Sequence, residues 1–275
     1  MLQKLHKSIS TQVKLLEEVL EIQLFEKDGR KLKLSPDGQA IFSYCKSAFE
    51  TFEDLKLYLG NHNKTHTKKL KIGVSNDIER PFISSMICAH LKEMKKTSEL
   101  SINLHSASYA EIKEKFLTKD IDIAITSDPI IAQNIKFYTS VNLPIGVLIN
   151  SKIGEKFKNS DLKSFFNKID LGLALPSPEL KLRKEIDSYL SKQKIYKNII
   201  FESNILATIS RSIIDGVAVG ILPLPYVYTE IKKGQLIQVY PSTKLWDHKI
   251  YICSYNEDIM IEIKQEILKY INDAG

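Results

Sequence analysis

One face of the amino-terminal segment carries side chains that could contact DNA. They are short and polar or cationic, and their spacing of three or four residues places them on one side of an α-helix. Such side chains hydrogen-bond to phosphates and to base edges in a DNA groove. Glu17 and Glu18 end this surface. The predicted DNA-binding residues of this helix are His6, Lys7, Ser10, Thr11 and Lys14.

No catalytic or metal-binding pattern stands out in the sequence. It contains no GxSxG, no GxxxxGK[ST], no HExxH and no GxGxxG after a strand, and its histidines are scattered. His62 and His66 have the spacing of a metal-binding pair, but the surrounding Gly, Asn and Thr are typical of a solvated hinge and supply no third ligand. We therefore expect no enzyme, no cofactor and no metal site, although scattered Ser, Asp and His residues could still converge in space.

Two elements must position the predicted DNA-binding face. Residues 23–35, QLFEKDGRKLKLS, place the turn pair Asp28-Gly29 between two short alternating runs, which predicts a two-stranded wing. Arg30 and Lys31 at its tip are further predicted DNA contacts, because a basic hairpin suits the phosphate backbone. The helix itself has an apolar stripe with the period of a core-facing helix. The stripe comprises Ile9, Val13, Leu16 and Leu20.

A long helix is predicted after the wing. Ser35 is a favourable N-cap and Pro36 a favourable first helical residue. Apolar residues then recur at alternating steps of four and three, the seam of a coiled coil, which predicts a dimerisation helix. An ordinary core helix is the alternative, because the repeat covers only two and a half heptads. The seam residues are Ile41, Cys45, Ala48, Phe52, Leu55 and Leu59.

Four stretches carry a family resemblance. LEEVLEIQLFEKDGRKLKLSPDGQAI resembles the end of the recognition helix, the wing and the start of the linker helix of LysR-type transcriptional regulators. DGVAVGILPLPYVYTEIKKGQLIQV, at 215–239, resembles a strand motif of the same family. GVSNDIERPFISSMI and IDIAITSDPI resemble its NhaR-like branch. The resemblance implies a recognition helix in the major groove, linker helices paired in a homodimer or homotetramer, and a domain that senses a small-molecule or ion effector.

Beyond residue 69, strand and helix patterns alternate, which predicts a parallel sheet with crossover helices. The run VNLPIGVLIN, interrupted by Pro144 and Gly146, is predicted to cross from one subdomain into a second. With the resemblance, these patterns predict an α/β fold: an incomplete winged helix-turn-helix and linker helix, then a two-lobed, type II periplasmic-binding-protein-like effector domain. The predicted ranges are 1–35 (partial winged helix-turn-helix), 36–60 (linker helix), 61–69 (hinge) and 70–275 (effector domain; lobe I about 70–143 and 246–275, lobe II about 144–245).

The implied two-lobed fold locates candidate effector contacts. In open sheets, ligands lie beyond the carboxyl ends of the strands, where helix amino termini present free N–H groups to anions. Polar residues at those ends can equally be helix caps or turn residues without a ligand. The candidates are Ser75 and Asn76 after the first strand, Ser106 after the second, Thr126 and Ser127 after the third, and Ser203 at the start of a helix predicted from Asn204 to Asp215.

Three classes of function fit some part of the sequence. A LysR-type regulator, with double-stranded operator DNA and a small effector as partners, accounts for the wing, the heptads and the family strings. A solute-binding protein accounts for the later residues alone. No secretory signal pattern and no run of 18 apolar residues is found, so we expect a cytoplasmic protein without a membrane partner. The three separated cysteines, Cys45, Cys88 and Cys253, indicate reduced thiols. An enzyme is the third class.

Charge and length add two expectations. The net charge is +6, but residues 1–68 contain 11 Lys+Arg against 9 Asp+Glu, so charge alone does not indicate DNA binding. A helix-turn-helix also needs a preceding helix that packs on the recognition helix. Two short helices and a turn would require roughly 25 residues ahead of the apolar stripe. We therefore expect an incomplete DNA-binding domain, with a truncated paralogue or a cytosolic ligand-binding protein without specific DNA binding as the alternative.

Overall fold

The computed structural model describes most of the chain. The described ranges are 2–29, 31–60, 68–93, 100–132, 135, 137–157, 161–240 and 245–274. In the first helix, side chains are described from Ser10 onward. His62, His66 and Arg30 lie outside these ranges, as do the side chains of His6, Lys7, Ile9 and Leu59.

The described residues form helices, two 3-10 turns and strands. The helices are α1 (Leu2–Leu20), α2 (Pro36–Gly60), α3 (Arg80–Glu93), α4 (Tyr109–Leu117), α5 (Ser151–Gly154), α6 (Leu162–Lys168), α7 (Lys181–Gln193), α8 (Leu206–Ile214), α9 (Tyr228–Lys232) and α10 (Glu257–Ala274), and the 3-10 turns are Glu155–Phe157 and Leu224–Val227. The strands are β1 (Phe25–Asp28), β2 (Lys31–Leu34), β3 (Lys68–Ser75), β4 (Leu100–Ala107), β5 (Ile123–Thr126), β6 (Phe137–Asn150), β7 (Leu173–Pro176), β8 (Ile199–Ser203), β9 (Val219–Pro223), β10 (Leu236–Val239) and β11 (Asp247–Ser254).

The wing and the start of the long helix form as the sequence predicts. β1 and β2 pair antiparallel, and Gly29 has the left-handed backbone that the tight turn requires, with φ of +61°. The amide of Gly38 donates to Ser35 Oγ over 2.9 Å. Ser35 therefore caps α2, and Pro36 is its first residue.

The helix α1 is fastened to the wing by Glu17. Its Oε1 atom accepts hydrogen bonds from the backbone amides of Leu24, over 2.7 Å, and Phe25, over 3.2 Å. Glu17 thus has a positioning role in addition to ending the polar face. Leu16 and Leu20 of the apolar stripe remain 42% and 41% exposed, so the described part of the chain covers this stripe only partly.

The main sheet is mixed, which corrects the predicted parallel sheet. Its strand order is β4-β3-β5-β11-β6-β9-β7-β8, and β10 pairs with β6. β3 is parallel to β4 and β5, and β7 is parallel to β8 and β9, as expected for crossover helices. β11 runs antiparallel to β5 and β6. The reason is that the chain leaves the first half of the sheet (β3, β4, β5, β11) along β6 and returns from the second half (β7 to β10) along β11.

The strand β6 is continuous across the two halves. Pro144 and Gly146 both lie inside one strand of 14 residues and do not end it. In line with the predicted crossing, residues 137–144 of this strand pair with β11 of the first half and residues 145–148 pair with β9 of the second half. The ladder continues past the proline through Ile145, whose amide donates to the Trp246 carbonyl over 3.0 Å. Gly146 leaves room for the side chain of Leu224, which a β-carbon at this position would overlap. Gly146 therefore lies at a closely packed position inside the strand.

One hydrophobic core runs through both halves. Buried residues of β3, β5, β6, β7, β9 and β11 form a single cluster with the apolar faces of the neighbouring helices. Phe82 of α3 packs against Tyr226, with ring centroids 5.4 Å apart, and against Tyr270 of α10, with centroids 5.5 Å apart. These contacts bring the 3-10 turn after β9 against the first helix of the first half. None of the described helices has the length and apolar character that crossing a membrane requires.

Candidate functional site

Two adjacent parallel strands bring together three of the predicted effector residues. β3 and β5 pair with Val74 opposite Ile125, so Ser75 and Thr126 lie at neighbouring strand ends. Ser75 and Thr126 are fully buried, and Ser127 is 1% exposed. The ends of β3 and β5 therefore converge, as the sequence predicts for strands of the first half.

The hydroxyls at these strand ends are not equivalent. Thr126 Oγ1 donates to the carbonyl of Asp128 over 2.7 Å, and Ser127 Oγ donates to Asp77 Oδ2. Ser75 Oγ and the second oxygen of Asp77, Oδ1, are buried and have no hydrogen-bond partner among the described residues. Buried polar atoms usually have partners, so these two atoms distinguish a candidate binding site from a merely structural turn.

Three acidic side chains interact electrostatically with the Tyr226 hydroxyl. Tyr226 is 5% exposed, and its hydroxyl lies near the backbone of Glu79. Burial, followed by Asp77, Glu79 and Glu185, raises the pKa of Tyr226 well above its usual value. Glu79 is itself buried, and burial together with the charge of Glu230 raises its pKa from 4.5 to about 7. The site is therefore rich in carboxyl groups.

Lys181 connects the two halves beside this site. It is the first residue of α7, and its ammonium donates to the carbonyls of Ser127, over 2.6 Å, and Lys249, over 3.3 Å. It also lies 4.0 Å from Asp128 and 4.9 Å from the centre of the Tyr251 ring. One cation of the second half thus satisfies backbone oxygens of the first half.

We expect Lys181→Met to lower the free energy of unfolding by about 1 kcal/mol, because two backbone carbonyls lose a charged donor. Urea denaturation measures this effect. Lys184→Met is the matched control, since Lys184 is exposed on the same helix. Equal effects of the two substitutions would show that the bridge between the halves contributes nothing to stability.

A second connection involves the same helix. Glu185 Oε2 lies 2.9 Å from His248 Nδ1 and accepts from Trp246 Nε1 over 3.2 Å. Since a carboxylate only accepts, the imidazole donates through Nδ1. His248 is 1% exposed, and its Nε2 atom has no partner among the described residues. Glu185 therefore links α7 to the start of β11.

The remaining predicted effector residues do not share the buried strand ends of β3 and β5. Asn76 follows Ser75, Ser106 lies opposite Val74 on the paired strand β4, and only Ser203 lies in the other half. Asn76 is exposed, and its amide donates to the Ala107 carbonyl over 2.8 Å. Ser106 lies within β4, and its buried hydroxyl has no partner among the described residues. Ser203 is the last residue of β8 in the second half. Strand β8 is not adjacent to β3 or β5 in the sheet.

The predicted position of Ser203 at a helix start is wrong. The helix α8 begins at Leu206 after Ile205, not at Asn204. Ser203 Oγ accepts the amide of Ile205 over 3.0 Å, which turns the chain locally before the helix begins. Ser203 is thus a turn residue at a strand end.

The predicted DNA-binding residues that can be described are all exposed. They are Ser10, Thr11 and Lys14 on α1 and Lys31 on β2. On the wing, Lys33 pairs with Glu26 over 3.2 Å. Along α2, Phe52 and Leu55 of the predicted seam are 52% and 48% exposed. Ala48 and Cys45 are also exposed, whereas Ile41 is half-buried. Both predicted surfaces are accessible where they are described.

Sequence reasoning missed six residues of the candidate site. Asp77 and Glu79 directly follow the first predicted strand, so their acidic character was available as a signal in SNDIE. The others come from distant segments with ordinary helix and turn patterns. The missed residues are Asp77, Glu79, Lys181, Glu185, Tyr226 and His248. Among the described residues, no group of three or more His, Cys, Asp or Glu side chains is arranged to hold a metal ion.

The comparisons with known proteins agree with this architecture. The family model described as the LysR substrate binding domain matches residues 63–271. The transcriptional dual regulator GltC of Bacillus subtilis is 30% identical over 118 residues, which are 43% of this chain and 38% of GltC. The transcriptional activator protein NhaR of Escherichia coli is 24% identical over 123 residues, 45% of this chain and 40% of NhaR. These matches span less than half of each relative and do not single out the NhaR-like branch.

Solved structures match over more of the chain. A full-length OxyR variant from Pseudomonas aeruginosa has a TM-score of 0.58 at 16% identity, covering 98% of this chain and 84% of OxyR. At this identity the likeness concerns the fold. It extends over the wing, the long helix and the two halves of the main sheet.

Proposed function

The chain belongs to the LysR substrate-binding domain family, and from this membership we propose that it is a LysR-type transcriptional regulator. Its two sheet halves form the effector domain, and a small molecule or ion bound between them modulates DNA binding. The observation that carries the proposal is the family match over residues 63–271, preceded by an exposed helix, a basic wing and the long helix α2. The proposed division of the chain follows the predicted ranges.

The proposal assigns a role to each amino-terminal element. The exposed polar face of α1 and the tip of the wing contact operator DNA, with α1 in the major groove. The helix α2 pairs with that of a second subunit. The chain is then a cytoplasmic regulator, not an enzyme.

Selection of DNA fragments by the full chain tests this function. A library of genomic fragments is incubated with the protein at physiological salt, and the bound fragments are sequenced. We expect a shared motif to be enriched, with Lys14→Glu weakening binding at least tenfold because it places a negative charge against phosphates. Lys168→Glu, an exposed position in the second half, is the matched control. Recovery of random fragments would overturn the regulator proposal.

Dimerisation through α2 is a separate prediction. Phe52→Lys places a charge in the proposed seam and should shift the protein toward monomers in sedimentation velocity at micromolar concentration. Phe49→Lys is the control, because Phe49 is 70% exposed on the same helix but outside the seam pattern. If the two variants sediment alike, the subunits associate through another surface.

One observation favours a second candidate function. The apolar stripe of α1 is only partly covered, since Leu16 and Leu20 are 42% and 41% exposed. A recognition helix whose apolar stripe is this exposed favours a ligand-binding protein without sequence-specific DNA recognition. The fragment selection distinguishes the two candidates, because this protein would bind DNA weakly, with no motif and with a steep salt dependence.

A further inference from the structure

The candidate site concentrates carboxyl groups close to a contact between the two halves of the sheet. Asp77 and Glu79 follow β3 in the first half, and Glu185 lies on α7 in the second. All three carboxyl groups interact electrostatically with the buried Tyr226 hydroxyl. Asp77 also accepts a hydrogen bond from Ser127, whose carbonyl accepts from Lys181 of α7, so Asp77 lies beside a contact between the two halves. Carboxyl groups held together in a buried place repel one another unless a cation or a proton joins them.

Three buried polar atoms at this place have no partner among the described residues. They are Ser75 Oγ, Asp77 Oδ1 and the Tyr226 hydroxyl. Ser75 is fully buried and Tyr226 is 95% buried, so solvent does not replace the missing partners. A carboxylate oxygen can only accept hydrogen bonds, so the missing partner of Asp77 must be a donor.

Two cations of α7 bind acceptors other than Asp77 Oδ1. The ammonium of Lys181 donates to the carbonyls of Ser127 and Lys249. Arg183, also on α7, donates to Asp187, Glu202 and the Pro176 carbonyl. The donor that Asp77 lacks is therefore not supplied by either side chain.

A metal ion fits this place poorly. The described residues contain no group of three or more acidic, histidine or cysteine side chains arranged around a common point at metal-binding distance. An anionic ligand fits poorly as well, because the carboxyl groups of Asp77, Glu79 and Glu185 would repel it. An ammonium or guanidinium group carries both the positive charge and several donors directed at acceptors of this kind.

We propose that this site binds a small organic cation, whose ammonium or guanidinium group donates to Asp77 Oδ1 with the Ser75 and Tyr226 hydroxyls as further partners. The proposal rests on the proposed function, since it names the effector class of the same domain. The partner atoms are buried, so binding requires local opening of the residues that cover them. The bound cation then stabilises the closed arrangement.

Thermal-shift and calorimetric titrations of the full chain test this proposal. The probes are putrescine, lysine and arginine as cations, and succinate and salicylate as anions, at constant ionic strength and pH. We expect at least one cation to raise the melting temperature. Asp77→Asn should weaken its binding at least tenfold, and Tyr226→Phe, which removes only the hydroxyl, should weaken it severalfold. Asp170→Asn, at an exposed position of the second half, is the matched control and should bind normally.

Each outcome decides the ligand class. A shift by an anion and by no cation would overturn the proposal, as would equal cation binding by Asp77→Asn and the parent protein. The absence of any shift across the cations would also contradict it. These results leave the regulator function intact if the DNA selection still yields a motif, whereas cation binding without a motif would contradict the regulator function alone.

Discussion

Replacing Glu79 with glutamine is expected to raise the free energy of unfolding at pH 8 by about 2–3 kcal/mol. Glu79 is 5% exposed, and burial, together with Glu230, raises its pKa from 4.5 to about 7. Ionising this buried carboxyl at pH 8 therefore costs stability. Glutamine keeps the size and shape of the side chain but carries no charge, so the cost disappears.

The same pKa shift fixes the pH dependence of stability. Between pH 4.5 and about 7 the folded protein holds a proton on Glu79 that the unfolded chain releases. Protonated Glu79 therefore contributes its full amount to the free energy of unfolding below pH 4.5. This stabilising contribution is lost as the pH rises through about 7. Glu79→Gln should flatten this decline in urea titrations across the range. Glu179→Gln, at an exposed position, should leave it unchanged.

If Glu79→Gln and Glu179→Gln give the same pH profile, Glu79 is ionised without penalty in the folded protein. The site would then hold its carboxyl groups in a hydrated environment. Glu79 would then not contribute to the preference for an organic cation, whereas the unpartnered oxygen of Asp77 would be unaffected.

Gly38→Ala is expected to weaken the junction between the wing and α2 by about 2–3 kcal/mol, because overpacking against backbone is not relieved by side-chain rotation. A β-carbon at residue 38 would overlap the carbonyl group of Leu24. That carbonyl oxygen also accepts the amide of Ser35 over 2.9 Å, so it cannot move without breaking the junction. The helix and the wing would separate locally.

Hydrogen exchange of the Ser35 and Gln39 amides measures this effect, since both bond backbone carbonyls at the junction. Their protection should fall in Gly38→Ala and remain in Gln39→Ala, a substitution at an exposed position in the same helical turn. Unchanged protection in Gly38→Ala would mean that the junction accommodates a β-carbon. The close approach of α2 to the wing would then have no role in positioning the DNA-binding elements.

Local chemistry explains why the wing could be predicted from the sequence. The Asp28-Gly29 turn and the Ser35-Pro36 helix start depend on residues within a few positions of one another, and the observed elements follow them. Gly38, in the segment DGQA, belongs to the stretch that resembles the family. A β-carbon at this position would overlap the Leu24 carbonyl, which explains why the position is occupied by glycine.

Long-range topology explains what could not be predicted. Pro144 and Gly146 are local breakers, but β6 passes through both because neighbouring strands hold it on each side. Similarly, Ser75 and Thr126 could be placed at strand ends from the pattern alone. Glu185 and Tyr226 reach the site only because the chain crosses into the second half and folds back, which no periodicity indicates.

The central claim is that one chain both binds operator DNA and senses a ligand between its sheet halves. Fluorescence anisotropy of a selected DNA fragment, measured with and without the cation that gives the largest thermal shift, tests it most directly. The account predicts that the cation changes the DNA affinity at least fivefold, and that DNA changes the affinity for the cation by the same factor. An identical DNA affinity with and without saturating cation would contradict the account.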